Sequence, residues 1–95
     1  MNKPKPGDYV TEGSEILRVD EVYETTLRAT VIVLDVKEQE HEGFTYKRKR
    51  IEQLSPLTPA NRQLLTEIAY LETQLEPIQK DIRDKLAQIW ETRFK

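Results

Sequence analysis

TPANRQLLTEIAYLETQLEPIQKDIRDKLAQIWETRFK, residues 58–95, is the stretch whose reading decides the fold. Within it Leu64, Ile68, Leu71, Leu75, Ile78 and Ile82 recur at spacings of 4, 3, 4, 3 and 4, the a/d rhythm of a helix made to lie against another helix. Thr58 is a good N-cap and Pro59 suits the first helical position, so a helix is expected to start here. Its one internal interruption is Pro77, which in a helix would lose a hydrogen bond to Thr73 at a cost of ~3 kcal/mol. The seam crosses Pro77 without a phase break. The expected form is therefore one long helix kinked at Pro77, with a helical hairpin as the alternative, because Thr73 and Glu76 resemble a capping box for a second helix.

The two forms differ in what they demand. A continuous helix would run ~55 Å at 1.5 Å per residue. A body of some 55 residues is only ~20–25 Å across by size scaling. The overhanging seam would then need a partner, most simply a second copy of the chain. A hairpin removes that requirement, since each arm covers the other. Past Ile82 the stripe drifts toward a 3.6 period and broadens into Leu86, Ile89, Trp90 and Phe94. This patch either packs onto the chain's own body or docks another protein, with Trp90 as anchor.

Upstream, residues 1–6 form a Pro- and Lys-containing lead-in, and the folded part opens at Gly7-Asp8. Tyr9-Val10 is strand-like, and residues 11–14 read as a turn in which Gly13 can take a positive φ. Residues 15–23 read as a second strand. Residues 27–37, rich in β-branched side chains and apolar on both faces at the centre, read as a long bent strand. A polar hairpin loop is expected over 38–43, a weakly alternating strand over 44–50, and a 3₁₀ turn or closing strand over 51–54. Pro6-Gly7-Asp8-Tyr9-Val10, the strand from Glu15 to Val22 and the closing segment from Ile51 to Leu57 resemble an SH3-like small β-barrel of the transcription- and translation-factor type. The resemblance covers a little over half of the chain and implies fold. The acidic, Tyr-rich loop of peptide-binding SH3 domains and the aromatic cage of methyl-lysine readers are not evident, so no ligand-binding residue carries over. The expected architecture is α+β: a lead-in (1–6), a barrel of about five strands (7–57) and a helical self-association and interaction region (58–95).

Composition narrows the function. Hydrophobic residues make up 37% of the 95 and charged ones 34%, which suits a thin core under a large surface. There is no cysteine, which removes disulfides and thiolate chemistry and fits a cytoplasmic location. The chain holds no apolar run near the ~20 residues that span a bilayer, and its start lacks a signal-peptide apolar stretch, so no membrane partner is expected. The net charge is −2, with nine basic and eleven acidic side chains in residues 1–57 and six of each beyond, so a nucleic-acid site would have to be local. The candidate is the basic run Lys47-Arg48-Lys49-Arg50 beside Phe44 and Tyr46, in which the lysines share one strand face and the arginines the other. Its plainer reading is an edge strand guarded by charge and neutralised by Glu38, Glu40 and Glu42. His41, the sole histidine, sits among those acids without metal-ligand spacing, and no metal or cofactor is expected. One loop histidine, and glycines only at 7, 13 and 43, build neither a nucleophilic triad nor a phosphate loop, so an enzyme is not expected. The expected function is a non-enzymatic small regulator that forms a coiled-coil homodimer and binds another protein. Association is expected through the six seam residues and partner binding through Leu86, Ile89, Trp90 and Phe94. A nucleic-acid-binding accessory factor is the alternative.

Overall fold

The computed structural model describes residues 3–34 and 39–94. Five strands form one antiparallel sheet: β1 (Tyr9–Glu12), β2 (Glu15–Val22), β3 (Thr26–Leu34), β4 (Glu40–Arg50) and β5 (Ser55–Pro56). Their order is β4-β3-β2-β1-β5. A 3₁₀ turn, Ile51–Gln53, separates β4 from β5, and two helices follow, α1 (Pro59–Glu72) and α2 (Gln79–Trp90). Pro56 lies opposite Val10 in the short edge strand β5, a place where the N–H that proline lacks is not missed.

Two sequence boundaries move. Thr11 and Glu12 belong to β1, and the turn is reduced to Gly13-Ser14, with Gly13 at φ 56. The polar segment read as a loop is partly strand: residues 40–43 pair with β3. The expectations on residues 35–38, including Glu38, lie outside the described residues. Gly43 accompanies an irregularity in the β3–β4 register between Thr30 and Ile32. A Cβ there would stand 2.6 Å from the Val31 carbonyl oxygen, so the backbones approach too closely for any side chain.

Strand alternation sorts the residues onto two faces. On one, Val10, Leu17, Val19, Leu27, Ala29, Ile51 and Leu54 form a buried cluster, with Val22, Val31 and Phe94 against its margin. On the other, Ile16 and Ile32 lie under the helices and are buried with Leu65, Ile68, Ile82 and Ile89. The central part of β3 is thus apolar on both faces because each face meets its own core.

The helical region corrects the expected single kinked helix. Helix α1 stops at Glu72, and α2 starts at Gln79. Thr73 does not cap the second helix. It closes the first, its N–H reaching the Leu71 and Tyr70 carbonyls and its hydroxyl donating to the Tyr70 carbonyl at 2.6 Å. Pro77 sits in the link, where it breaks no helical hydrogen bond. The longest dimension, 41 Å, is well short of the ~55 Å of an unbroken helix. The hairpin wins on burial. It brings Ile68 and Ile82 together over the sheet, and each such side chain is worth ~1.5–3 kcal/mol when removed from water. Thr58 and Pro59 keep their expected roles, the Thr58 hydroxyl accepting from the Asn61 N–H at 3.1 Å.

Polar contacts lock the hairpin onto the sheet. Asn61, almost fully buried, donates from Nδ2 to the Pro56 carbonyl (2.7 Å) and to Thr92 Oγ1 (2.9 Å). The Ser55 hydroxyl donates to the Ile89 carbonyl at 2.8 Å, and the Phe94 N–H to the Leu54 carbonyl at 2.9 Å. Glu67 and Lys85 pair between the helices at 3.5 Å.

Candidate interaction surfaces

The seam is mostly spent inside the molecule. Ile68 and Ile82 are buried, and Leu64 and Leu71 pack against the same cluster. The premise that one copy cannot shelter this stripe is therefore overturned: folding back puts the stripe of α1 and that of α2 on the same sheet face. Only its middle escapes. Leu75 is 103% exposed and Ile78 58%, both in the α1–α2 link, and Tyr70 in the last turn of α1 is 67% exposed. The hairpin tip thus carries three large apolar side chains. A shallow cleft of ≈ 450 Å³ between the helices includes Tyr70 and Leu71.

The C-terminal patch divides the same way. Ile89 is fully buried, Leu86 packs on the helical core, and Phe94 packs on the core of the opposite sheet face. These three are structural because the chain ends by returning to the sheet beside Leu54. Trp90 alone stays substantially open, at 43%, with the Arg93 guanidinium 5.2 Å from its ring centre. Helical spacing could not separate Ile89 from Trp90, since neighbouring residues on a helix point about 100° apart and either could face inward.

The basic strand alternates as expected, but its neutralising acids come from elsewhere. Lys47 and Lys49 lie opposite Ala29 and Leu27, on the face of the first core. Lys47 Nζ reaches Glu15 at 2.9 Å and Lys49 Nζ reaches Glu12 at 3.0 Å. Glu15 opens β2 and Glu12 closes β1, and neither strand neighbours β4 in the ladder, so these pairs bridge a curled sheet. Glu40 and Glu42 serve other cations: Glu40 accepts from Arg62 of α1 at 2.6 Å, and Glu42 accepts from Arg18 of β2. That hydrogen bond to Glu42 raises the Arg18 pKa above its ordinary value.

On the opposite face Arg48 lies 4.5 Å from the ring centre of Tyr23, Arg28 pairs with Glu21 at 3.4 Å, and Arg50 pairs with Glu52 at 3.3 Å. Tyr23 donates to Glu21 at 2.6 Å, which raises its pKa; burial adds in the same direction, while Arg28 and Arg48 oppose it. Tyr46 is exposed beside this group. The side chain of Phe44 lies outside the described residues. No group of three His, Cys, Asp or Glu side chains arranged to hold a metal ion occurs among the described residues. Nor is any described helix long and apolar enough to cross a membrane.

Sequence reasoning missed Glu12 and Glu15 as partners of the basic run, and Asn61 as the joint of the fold. Their chemistry was visible, but the curl that brings the end of β1 and the start of β2 to β4, and the fold-back of the helices, were not. Comparison with protein families, with curated proteins and with solved structures gave no match.

Proposed function

We propose that this protein is a non-enzymatic interaction module of the cytoplasm, an SH3-like barrel carrying a helical hairpin, that self-associates through the hairpin tip and binds another protein. The barrel reading is supported by a five-stranded meander whose short last strand returns to the first after a 3₁₀ turn. The observation that carries the functional reading is the exposure of Tyr70, Leu75 and Ile78 together at one end of the molecule. Leu75 and Ile78 lie in a turn, where polar residues would serve the fold better, so their apolar surface contributes only when covered. Association is accordingly narrowed from the six-residue seam to its middle.

A three-side-chain patch buries less than a standard interface of ~1,200–2,000 Å², so the dimer is weak and concentration-dependent. Sedimentation equilibrium from about 10 μM to 1 mM, the span that suits so small an interface, tests this. The apparent mass should climb from one copy toward two, and the double substitution Leu75→Asp, Ile78→Asp should hold it at one. A constant single-copy mass for the unmodified chain refutes self-association.

One observation favours a second reading. Tyr46, Arg28, Arg48 and Arg50 share a sheet face and could meet a nucleic-acid backbone and base. Pairing of Lys47 and Lys49 with carboxylates weakens it, since those charges are already satisfied. Salt-dependent RNA or DNA binding that is lost on replacing Arg28 and Arg48 with Ser would establish this reading instead.

A further inference from the structure

Strand β4 ends the sheet, so its outer edge has no neighbouring strand among the described residues. It is also the longest described strand, at 11 residues. The Ile51 N–H, just past its end, donates to the Thr25 carbonyl, just before β3, at 3.0 Å. Main-chain groups alternate along a strand, so Lys49 and Lys47 turn theirs to β3, while Arg50, Arg48 and Tyr46 turn theirs outward. Between Tyr46 and Glu42, residues 43–45 stand against the single β3 residue Val31. Two residues are thus extra and the alternation keeps its phase, so the main-chain groups of Glu42 and Glu40 also turn outward. The side chains at all five outward positions are exposed.

We infer that this edge pairs antiparallel with the same edge of a second copy, about a two-fold axis at Thr45. A charged edge repels a strand of like charge. On β4 the charge is divided, with acids at Glu40 and Glu42 and cations from Lys47 to Arg50. Centring the pair on Thr45 sets Glu40 opposite the partner's Arg50 and Glu42 opposite the partner's Arg48, and the reverse. All four are positions whose main-chain groups face the seam. Sliding the register by two residues either way leaves half as many opposite-charge pairs. Each of these side chains already has a surface partner: Arg62 for Glu40, Arg18 for Glu42, Glu52 for Arg50 and the Tyr23 ring for Arg48. Trading one exposed ion pair for another, and water for main-chain partners, gains little. The contact therefore acts at local concentrations above about 1 mM, and masses read below that report the hairpin tip alone. It goes beyond the tip contact and does not rest on it. A copy held at its tip keeps its β4 edge for another, so the two contacts together extend an assembly past a dimer.

In this register Thr45 meets its own copy as a non-hydrogen-bonded pair, with Cα atoms about 4.5 Å apart, inside the roughly 4.4–6.8 Å that a disulfide spans. The chain has no cysteine, so Thr45→Cys introduces the sole one. The full chain also carries Leu75→Asp and Ile78→Asp, which silences the tip, and intermolecular disulfide formation is timed in a glutathione redox buffer. Thr66→Cys, also exposed but on α1, is the control. Thr45→Cys should cross-link at least about tenfold faster than the control. Adding Glu42→Arg or Arg48→Glu, each of which sets like charges opposite one another, should slow it about tenfold. Both changes in one chain, or an equal mixture of the two single variants, should restore the rate. Glu40→Arg with Arg50→Glu repeats the test at the outer pair, and circular dichroism checks that each variant folds. Equal rates at Thr45 and Thr66 overturn the proposal, as does a Thr45 rate that charge reversal leaves unmoved. Either result leaves the tip reading standing, because that reading is judged by the mass of the unmodified chain.

Discussion

Asn61→Asp is the most informative single-atom test of how the hairpin is joined to the sheet. The change is nearly isosteric. It replaces the Nδ2 group, which donates to the Pro56 carbonyl at 2.7 Å and to Thr92 Oγ1 at 2.9 Å, with an acceptor facing acceptors. Each lost hydrogen bond is worth about 0.5–1.5 kcal/mol, and the stranded buried groups add a desolvation cost of about 1–3 kcal/mol. A loss of roughly 2–6 kcal/mol at pH 7 follows, a large share of the ~5–15 kcal/mol that holds a domain folded. Urea denaturation should show the midpoint falling by at least ~1 M with the slope unchanged. The pH dependence gives a second signature. Burial among carbonyl and hydroxyl oxygens raises the pKa of the new carboxyl in the folded state above its unfolded value. In the window between those two pKa values the folded state binds more protons than the unfolded state, so stability falls as pH rises. Acidification through that window should therefore restore part of the loss, since the introduced carboxyl, once protonated, can donate one bond again. A variant within ~0.5 kcal/mol of the parent at pH 7, the spread of ordinary surface changes, would refute this account of the joint.

Three further outcomes are expected. Gly43→Ala should destabilise by about 1–3 kcal/mol in thermal or urea melts, because its Cβ would meet the Val31 carbonyl at 2.6 Å and the strands must part. Ile82→Ala should cost about 2–5 kcal/mol by the same assay, as expected for a buried side chain shared by both helices and the sheet. Tyr23 should deprotonate above the ordinary tyrosine range in an NMR titration of labelled tyrosines, and Glu21→Gln, which removes the accepting carboxylate, should bring it back down.

Much of the fold was legible in the residues because local chemistry dictates it. Thr58-Pro59 marks a helix start wherever it is placed, Gly13 marks a tight turn, and alternation puts Lys47 and Lys49 on one face of a strand whatever that strand packs against. The fate of Pro77 was not legible in this way. The a/d rhythm from Leu64 to Ile82 is the same for a long helix facing a second chain and for two arms facing one sheet. The choice depends on Ile16 and Ile32, which lie outside the helices and offer an apolar seat for them. The burial of some candidate site residues was hidden for the same reason. Ile89 and Phe94 look like docking residues until residue 94 is seen to return to Leu54, and Glu12 in the expected turn and Glu15 at the start of the expected second strand look remote from the basic run until the sheet curls and brings Lys47 and Lys49 to them.

The fold-back of the helices is what turns the seam inward, exposes the tip and sets Trp90 beside the β1–β2 turn. The absence of cysteine makes its direct test straightforward. Nitroxide labels are attached to cysteines introduced at Glu67 and Lys85, which face each other across the hairpin, and the sample is diluted with unlabelled protein. With packed helices at axis separations of ~8–10 Å, the continuous-wave spectrum should be strongly broadened by dipolar coupling. A spectrum without broadening, matching the ~27 Å that 18 residues of unbroken helix would impose, would contradict the hairpin and everything drawn from it.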